Sequence, residues 1–370
     1  MPPYVLRYTD EISSPALIYY RDILLNNTDQ IITLAGGADR LWPHVKSHKC
    51  IEMVKLQMSR GIRRFKCATV AEAEMVCEAG ADAAILAMPP AGPVPKRLMA
   101  LSKAYPRTQI YALADCEPHL KAYALAASEA GITANLLLDI NMGMNRTGIP
   151  TAGAAALYRK AAAIPGVRMC GFHCYDGDRH EHDAGLRQTL VDQCDSAVFA
   201  VRRELMEDGF PVELMIFGGS PSFPCHTHFK EDGVYYSPGT VFLNDIGYSS
   251  SFRDLKMTPA VTVMSRVVSH PDKGLFTLDL GYKAIAGDPP MESRGVLVNV
   301  EHCKPVLQNE EHWVFRMDEG YEAPAIGTVV YVIPYHVCPC AALYPSVLIA
   351  EQGELVDEWI VTARNRRITY

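Results

Sequence analysis

Three side chains with catalytic potential stand two residues apart near the start of the chain. The stretch 41–49 reads LWPHVKSHK and places His44 and His48 on either side of Lys46. If this stretch forms a strand, the three side chains share one face, because β structure repeats every two residues. A lysine crowded by histidines shifts toward its neutral amine, which can form a Schiff base. A solvated lysine at a strand end is the alternative, and these nine residues alone favour it.

The predicted strands and helices that would position this motif alternate regularly along the chain. Apolar, β-rich runs occur at eight places, namely 41–46, 64–69, 83–89, 109–115, 135–141, 169–176, 213–220 and 234–240. Helical patterns separate most of these runs, and strands that alternate with helices indicate a parallel sheet. Eight such units favour a closed (β/α)8 barrel of the TIM type. An open doubly wound sheet is the alternative, but its glycine-rich turn is missing after the first run, which ends in VKSHK.

The pattern changes near residue 251, where strand-like runs follow one another without helices between them. Such a succession indicates a mainly antiparallel β domain. We therefore predict an α/β barrel over residues 14–250 and a β domain over residues 251–370. We expect residues 1–13 to join the β domain.

The composition excludes several classes of protein. The chain has 35 basic and 42 acidic residues, a net charge of −7 and no basic stripe, so a nucleic-acid partner is not expected. The 11 cysteines lack the compact spacing of a disulfide framework and are expected to be reduced. The start of the chain lacks a secretory signal pattern, and no apolar run is long enough to span a membrane. We expect a cytoplasmic protein that acts on a small molecule.

Small residues follow the last two predicted barrel strands. The segments read FGGSPSFP at 217–224 and SPGT at 237–240. Backbone N–H groups in such loops can hold a phosphate, and these two loops are the usual phosphate position of TIM barrels. A Gly-Gly-Ser segment is also a common turn. Together with Lys46 at the same rim, the loops are explained economically by pyridoxal phosphate bound covalently to the lysine.

A second chemical feature lies near the C-terminal end, in IPYHVCPCAALYP at 333–345. His336, Cys338 and Cys340 would share one face of a strand, and imidazole with thiolate is a ligand pair that selects zinc. A buried histidine beside two inert cysteines is an equally good interpretation of the spacing.

Two further groups could take part in chemistry, and both have plainer interpretations. The charged loop DGDRHEHD could supply a base or a metal ligand from Asp178, His180 or His182, although such loops are usually solvated. The segment PCHTHF resembles a metal cluster in its spacing, but beside the phosphate loop we expect its Cys225, His226 and His228 to serve local packing.

The order of these motifs resembles the D-threonine aldolase and D-serine dehydratase family, whose members are fold type III enzymes related to alanine racemase. The resemblance covers most of the chain from about residue 14. It rests on PHVKSHK, CATVAEAE, NMGMNRTG, YDGD, GGSPSFP, SPGT, LDLGYKAIAGDPP, EEHWVF and PYHVCP, in that order.

The resemblance implies roles for the residues at matching positions. The cofactor lysine is Lys46, with Lys49 on the opposite face, and Arg146 lies close to the cofactor ring. The phosphate loops correspond to Gly219 and Ser220 and to Gly239 and Thr240. His44 is expected to shape the cofactor site. Tyr175 is a candidate neighbour of the ring, with a core aromatic as the alternative.

The implied metal ligands are His336 and Cys338, with Cys340 either a third ligand or a filler. The metal is divalent, with zinc preferred and manganese as the alternative. Ser237 stands where alanine racemases have an arginine against the pyridine nitrogen, so the ring must be tuned differently here.

The predicted activity is cleavage of a D-β-hydroxy amino acid, such as D-threonine, to glycine and an aldehyde. Dehydration of D-serine or 3-hydroxyaspartate by the same lysine and metal is the first alternative. A racemase comes third, because racemisation releases no hydroxyl for a metal to bind. A non-catalytic pyridoxal phosphate carrier comes last, because such carriers lack a metal-bearing β domain. Fold type III further implies a homodimer.

Overall fold

The computed structural model of the chain describes residues 4–370. The strands are β1 (Ala16–Tyr20), β2 (Arg64–Cys67), β3 (Ala83–Leu86), β4 (Gln109–Ala114), β5 (Ala134–Asn141), β6 (Val167–Tyr175), β7 (Leu214–Phe217), β8 (Val234–Tyr236), β9 (Val261–Ser269), β10 (Leu275–Leu278), β11 (Gly295–Leu297), β12 (Cys303–Gln308), β13 (Trp313–Met317), β14 (Val329–Pro334), β15 (Ser346–Glu351) and β16 (Glu354–Ile360). The helices are α1 (Arg21–Ala35), α2 (Ile51–Ser59), α3 (Val70–Glu78), α4 (Val94–Ala104), α5 (Glu117–Ala130), α6 (Thr151–Ala162), α7 (Ala184–Glu207), α8 (Phe223–His226), α9 (Ile246–Ser251) and α10 (Val337–Leu343). No helix among these residues is long and apolar enough to cross a membrane.

The chain divides into two compact units. The barrel unit comprises residues 31–46, 53–239 and 365–370, and the β unit comprises residues 1–30, 47–52 and 240–364. Residues 14–30, 47–52 and 240–250, which we expected in the barrel, lie in the β unit, and residues 365–370, which we expected in the β domain, lie in the barrel unit.

The barrel unit contains a seven-stranded parallel sheet, in which β2 to β8 pair in the order of the chain. Helices connect successive strands, as the alternating sequence pattern indicates. The predicted TIM-type fold class is confirmed. Large apolar side chains fill the space enclosed by the sheet, among them Trp42, Ile85, Leu137 and Ile216. A packed interior leaves the ends of the strands as the place for a ligand.

The prediction of a regular strand at 41–46 is wrong. Leu41 makes an isolated parallel bridge to Tyr236 of β8, and His44 makes one to Lys66 of β2. Residues Val45–Ser47 then turn into a short 3-10 helix. Pro43 interrupts any continuous ladder, because proline has no N–H to donate. An irregular segment thus spans the two outer strands of the sheet, and Lys46 stands in a turn and not on a strand face.

The β unit is built on a nine-stranded, mainly antiparallel sheet in the order β12-β13-β10-β9-β1-β15-β16, with β14 pairing β9 and β11 beside it. β1 lies in the middle of this order, antiparallel to β9 and parallel to β15. Its sequence, ALIYY, is buried at four of five positions, as expected for an interior strand.

Candidate active site and candidate metal pair

Three cationic groups of the barrel unit surround one aromatic ring. Tyr175, the last residue of β6, has Arg146 4.8 Å, Lys66 5.1 Å and Lys46 5.7 Å from its ring centroid. Cations attract the face of an aromatic ring, but three of them at one ring still repel one another. The structure thus brings together Lys46, Arg146 and Tyr175, three residues that the sequence analysis singled out.

His44 fixes the turn that carries Lys46. Its Nδ1 accepts a long hydrogen bond of 3.4 Å from the backbone N–H of Lys46, and its ring also bonds the backbone of Lys66. Burial, followed by the charges of Lys46 and Lys66, holds the pKa of His44 well below its ordinary value. The ring is therefore neutral at pH 7, which lets one nitrogen accept while the other donates. His48 does not join this group, because it lies in the β unit and bonds the backbone N–H of Cys50 at 3.1 Å.

Lys66 was not predicted from the sequence as a site residue. Its side chain is only 1% exposed, and its Nζ lies 2.5 Å from Oγ of Ser237. Burial, with smaller contributions from neighbouring cations, lowers the pKa of Lys66 to about 7. The signal was present in RFKCAT, where a lysine interrupts an apolar strand at an inward-facing position.

Two buried histidine clusters support the rim of the barrel unit. His173 stacks on Tyr175 with a centroid distance of 6.4 Å, and its Nδ1 lies 2.7 Å from Oδ1 of Asp139. His226 bonds Asp176 through Nε2 at 3.0 Å and Asp195 through Nδ1 at 2.8 Å. Burial alone lowers the pKa of His226, but the two carboxylates outweigh it and raise the pKa to about 10.

The two predicted phosphate loops meet in the barrel unit. Oγ of Ser220, after β7, accepts a hydrogen bond of 3.1 Å from the backbone N–H of Gly239, after β8. A Cβ on Gly219 would lie 3.1 Å from the ring of Tyr175, and one on Gly177 would collide with the same ring. Both glycines let the tyrosine lie directly against the first loop. Thr240 lies in the β unit, so its predicted phosphate contact stays a prediction.

These residues fit pyridoxal phosphate. The ligand needs an amine, donors for a phosphate and a flat surface for its ring. Lys46 can supply the amine, the loops that meet through Ser220 and Gly239 offer small residues and the Ser220 hydroxyl, and Tyr175 offers the flat surface. The nearby carboxylates of Asp139 and Asp176 are bonded to His173 and His226, so an anion bound at this rim would offset the charges of Lys46 and Arg146.

The predicted metal pair lies in the β unit, but not on a strand. β14 ends at Pro334, His336 is the N-cap residue of α10, and Cys338 and Cys340 lie within that helix. The expectation of one shared strand face is therefore wrong, because consecutive helical positions diverge by about 100°. Nδ1 of His336 lies 2.6 Å from Oδ2 of Asp288. A histidine held by a carboxylate is a common arrangement for a metal ligand.

Cys338 and Cys340 have different surroundings. Sγ of Cys338 lies 3.3 Å from the hydroxyls of Ser47 and of Thr240, and it also bonds the His336 side chain. Burial raises the pKa of the Cys338 thiol, but these three hydrogen bonds outweigh it, and the pKa lies below its usual value. Sγ of Cys340 instead accepts the backbone N–H of Ala286 at 3.1 Å. Cys340 is thus buried and bonded to backbone groups, which favours its interpretation as a filler over a third ligand.

His336 and Cys338 fit a zinc ion as two protein ligands, one nitrogen and one sulfur. A pair of protein ligands leaves coordination positions for water or substrate. Elsewhere in the described chain, ligand atoms of Asp115, Cys116 and His119 lie within 4.8 Å of one another, at the start of α5. Their spacing, D-C-x-x-H after a strand, was visible in the sequence. Asp115 has partners within the protein, because Oδ2 accepts the backbone N–H of Gly148 at 3.0 Å and Oδ1 lies 2.8 Å from Nδ1 of His119.

The remaining sequence candidates have local partners. Asp178 lies 3.9 Å from its neighbour Arg179. His228 bonds the carbonyl oxygen of Cys225 at 2.8 Å, and His226 belongs to the carboxylate cluster described above. The roles proposed for His180 and His182 stay predictions.

Comparison with known proteins gives consistent matches over both parts of the chain. Residues 21–234 match the family "Alanine racemase, N-terminal domain", and residues 260–350 match "Putative serine dehydratase domain". D-threonine aldolase of Arthrobacter sp. is 26% identical over 350 residues, which cover 90% of this chain and 88% of that protein.

Two further relatives cover nearly the whole chain. The crystal structure of D-threonine aldolase from Filomicrobium marinum has a TM-score of 0.87 and 26% identity, and covers 96% of each chain. D-threo-3-hydroxyaspartate dehydratase of Delftia sp. strain HT23 is 24% identical over 347 residues, which cover 86% of this chain and 89% of that protein.

Proposed function

The chain belongs to the family of the alanine racemase N-terminal domain, and from that premise we propose that it is a pyridoxal-phosphate- and divalent-metal-dependent aldolase. Its substrate class is D-β-hydroxy amino acids such as D-threonine, and its products are glycine and an aldehyde. Two relatives of this activity, one by sequence and one by structure, each match at least 90% of the chain at 26% identity.

The barrel unit would hold the cofactor. Bound pyridoxal phosphate supplies an electron sink for the negative charge that develops at the α-carbon. Lys46 would provide the covalent attachment, the loops of Ser220 and Gly239 would hold the phosphate, and Tyr175 would lie against the ring. Arg146 adds a positive charge at 4.8 Å from the centre of the tyrosine ring, where it can bind a carboxylate.

The His336 and Cys338 pair is the observation that favours a hydroxyl-directed reaction over racemisation. A zinc ion on these two side chains would bind the β-hydroxyl and lower its pKa. Asp288 holds the imidazole through Nδ1, which leaves Nε2 for the metal. Hydrogen bonds with Ser47 and Thr240 lower the pKa of the Cys338 thiol, which favours the thiolate, the form that binds metals.

Dehydration of D-serine or 3-hydroxyaspartate is the second candidate. It is favoured by the match to the Delftia dehydratase and by the serine dehydratase domain over residues 260–350. Both reactions would use the same lysine and the same metal pair.

The deciding experiment is incubation of the purified protein with D-threonine and with D-serine, each with and without a chelator. Glycine and acetaldehyde from D-threonine support the aldolase. Ammonia and a keto acid from D-serine support the dehydratase instead. Activity that survives complete removal of the metal would contradict the metal-dependent part of the proposal.

The proposal extends to zinc as the metal, with manganese as the alternative, to a homodimer and to a cytoplasmic location. Reconstitution of the stripped protein with each metal tests the first point. Light scattering coupled to size-exclusion chromatography tests the homodimer. Fractionation of the source cells tests the cytoplasmic location.

A further inference from the structure

The barrel unit contains a second lysine, Lys66, which the proposed function does not yet use. Its side chain is 1% exposed, although lysine is almost never fully buried unless it is paired. Burial of an ammonium group is costly unless nearby groups offset the lost hydration. The neighbouring groups that stabilise this buried amine therefore have to be identified.

Ser237 holds the amine but does not use all of its donors. Oγ of Ser237 donates its own proton to the carbonyl oxygen of Gly218, at 3.0 Å, and so accepts the bond from Nζ of Lys66, at 2.5 Å. An amine has two N–H groups when neutral and three when charged. Within the described residues, Ser237 is its one hydrogen-bond partner, so at least one N–H remains available to a ligand.

The carboxylates near Lys66 are engaged elsewhere. Asp139 bonds His173 at 2.7 Å, and Asp176 bonds His226 at 3.0 Å. They act on Lys66 through charge alone, whereas burial and Lys46 oppose its protonation. An amine that is not permanently charged is suited to a neutral acceptor more than to a second anion.

The available N–H lies beside the predicted cofactor site. Nζ of Lys66 is 5.1 Å from the centroid of the Tyr175 ring, and Nζ of Lys46 is 5.7 Å from the same point. Ser237 stands two residues before Gly239, in the second phosphate loop. Lys66 is buried, whereas Lys46 and Tyr175 are half-buried, so the second lysine lies on the inner side of this site.

The chemistry of the ligand identifies the acceptor. In pyridoxal phosphate the aldehyde and the phosphate arm stand on neighbouring ring carbons, and the ring nitrogen lies opposite the aldehyde-bearing carbon. With the aldehyde held by Lys46 and the phosphate held by the loops, two ring acceptors remain: the oxygen beside the aldehyde-bearing carbon, which is anionic in the lysine-bound form, and the ring nitrogen, which is the neutral one. On the basis of the proposed function, we infer that Lys66, fixed by Ser237, donates a hydrogen bond to the ring nitrogen of the bound cofactor.

Such a bond would set the electronic state of the ring. A nitrogen that accepts a hydrogen bond from a neutral amine carries no proton, and an unprotonated ring withdraws electrons less strongly. Lys66 would thus act on the cofactor directly, and not through Lys46.

The test is the nitrogen resonance of the bound cofactor. Wild type and Lys66→Met are loaded with pyridoxal phosphate labelled with 15N at the ring nitrogen, and solid-state NMR spectra are recorded slightly above neutral pH. We expect the wild-type resonance at the position of an unprotonated, hydrogen-bonded nitrogen. In Lys66→Met it moves downfield, toward the position of a nitrogen without a hydrogen bond. An unchanged resonance in this variant overturns the inference.

Matched variants separate this contact from general effects. Arg64→Met removes a cation from the same strand, but Arg64 lies over the rings of Trp42 and Tyr235, at 5.9 and 5.1 Å, and its loss should leave the resonance in place. Lys66→Gln, whose amide is shorter, serves if Lys66→Met does not fold, and its resonance should also move. A resonance that moves in Ser237→Ala but in neither Lys66 variant would assign the bond to the hydroxyl and overturn the inference.

The visible absorption band of the bound cofactor distinguishes a failure of the proposed function from a failure of the inference about Lys66. A wild-type protein without the band contradicts the proposed function and this inference together. A wild-type protein with the band, whose nitrogen resonance does not respond to either Lys66 variant, contradicts only the inference.

Discussion

Lys46 and Lys49 are three residues apart, and only the first faces the predicted cofactor site. Lys46→Ala is expected to remove the visible absorption band of the bound cofactor and to lower kcat by on the order of 10²–10⁴, the usual contribution of a positioned proton-transfer group. The measurement is an absorption spectrum together with the rate on D-threonine.

Lys49→Ala is the matched control. Lys49 has a φ of 52° and lies in the β unit, where its carbonyl oxygen accepts the N–H of Ala363 at 2.9 Å. The visible absorption band of the bound cofactor and the activity on D-threonine should both be unchanged in this variant. A band that is kept in Lys46→Ala and lost in Lys49→Ala would reverse the assignment.

Asp288 acts on the metal pair through His336. Asp288→Asn is expected to weaken zinc binding by about 10–100-fold, because a carboxylate that orients a ligating imidazole commonly contributes that much. Competition with a chromophoric chelator measures the affinity. Glu292→Gln removes a charge from the exposed segment that follows and should leave the affinity unchanged. Equal affinity in wild type and Asp288→Asn would place the metal away from His336.

At the level of residues, the sequence predicted the groups whose motifs are local. The lysine of PHVK, the two small-residue loops and the H-x-C pair could be named from their spacing. The interaction of Lys66 with Ser237 could not, because it joins residues 171 positions apart, on β2 and after β8. The contacts of His226 with Asp176 and Asp195 are also non-local, because they join residues 50 and 31 positions apart. Such clusters form only once the register of the strands is fixed.

Among the elements, the short helix α8 carries a pH-sensitive contact. His226 lies between Asp176 and Asp195, and its pKa is raised to about 10 in the folded chain. A raised histidine pKa contributes stability that is complete below the ordinary value of about 6.5 and is lost as pH rises toward 10. The free energy of unfolding of wild type, measured by urea denaturation, should therefore fall across this window relative to that of His226→Gln, by on the order of a few kcal/mol.

The exposed neighbour His228 provides the control for this measurement. His228→Gln removes an imidazole two residues along the chain and should keep the wild-type dependence on pH. The other titrating groups are common to all three proteins, so the difference from wild type isolates His226. A constant difference between wild type and His226→Gln from pH 6.5 to 10 would contradict the assignment.

Helices and strands whose apolar residues repeat regularly could be predicted from the sequence. Elements whose form depends on pairing with distant parts of the chain could not. The strands β2 to β8 and the helices between them follow the sequence pattern. The edge strand β12 has little signal in the sequence, because it contains Pro305 and only two strongly apolar residues, Val306 and Leu307. The segment VCPCAAL was assigned to a strand because it is apolar, but it forms α10. Short apolar runs do not distinguish a buried helix from a strand.

Considered as a whole, the molecule is not two domains in succession. The chain passes between the barrel unit and the β unit five times, after residues 30, 46, 52, 239 and 364. Two of these passages fall directly after Lys46 and after Gly239, residues predicted to bind the cofactor. The linear patterns of composition located both folds but could not show that the first strand belongs to the second sheet.

A fragment of residues 1–250 should therefore fail to fold cooperatively. It would leave β1 without β9 and β15, its partners on both sides, and would expose the edges of an apolar strand. Urea unfolding of the fragment, followed by circular dichroism, should show no sharp transition, and coexpression with residues 251–370 should restore one. A sharp transition in the fragment alone would show that the barrel does not depend on the rest of the chain.

The pairing of β1 also sets the order of events during synthesis of the protein. β1 leaves the ribosome before the other described strands, but Ile18 pairs with Leu348, which is made 330 residues later. The strands of the barrel, by contrast, pair with their immediate successors as translation proceeds. The nascent chain must thus carry an apolar strand unpaired through most of translation, which makes β1 a natural binding site for a chaperone.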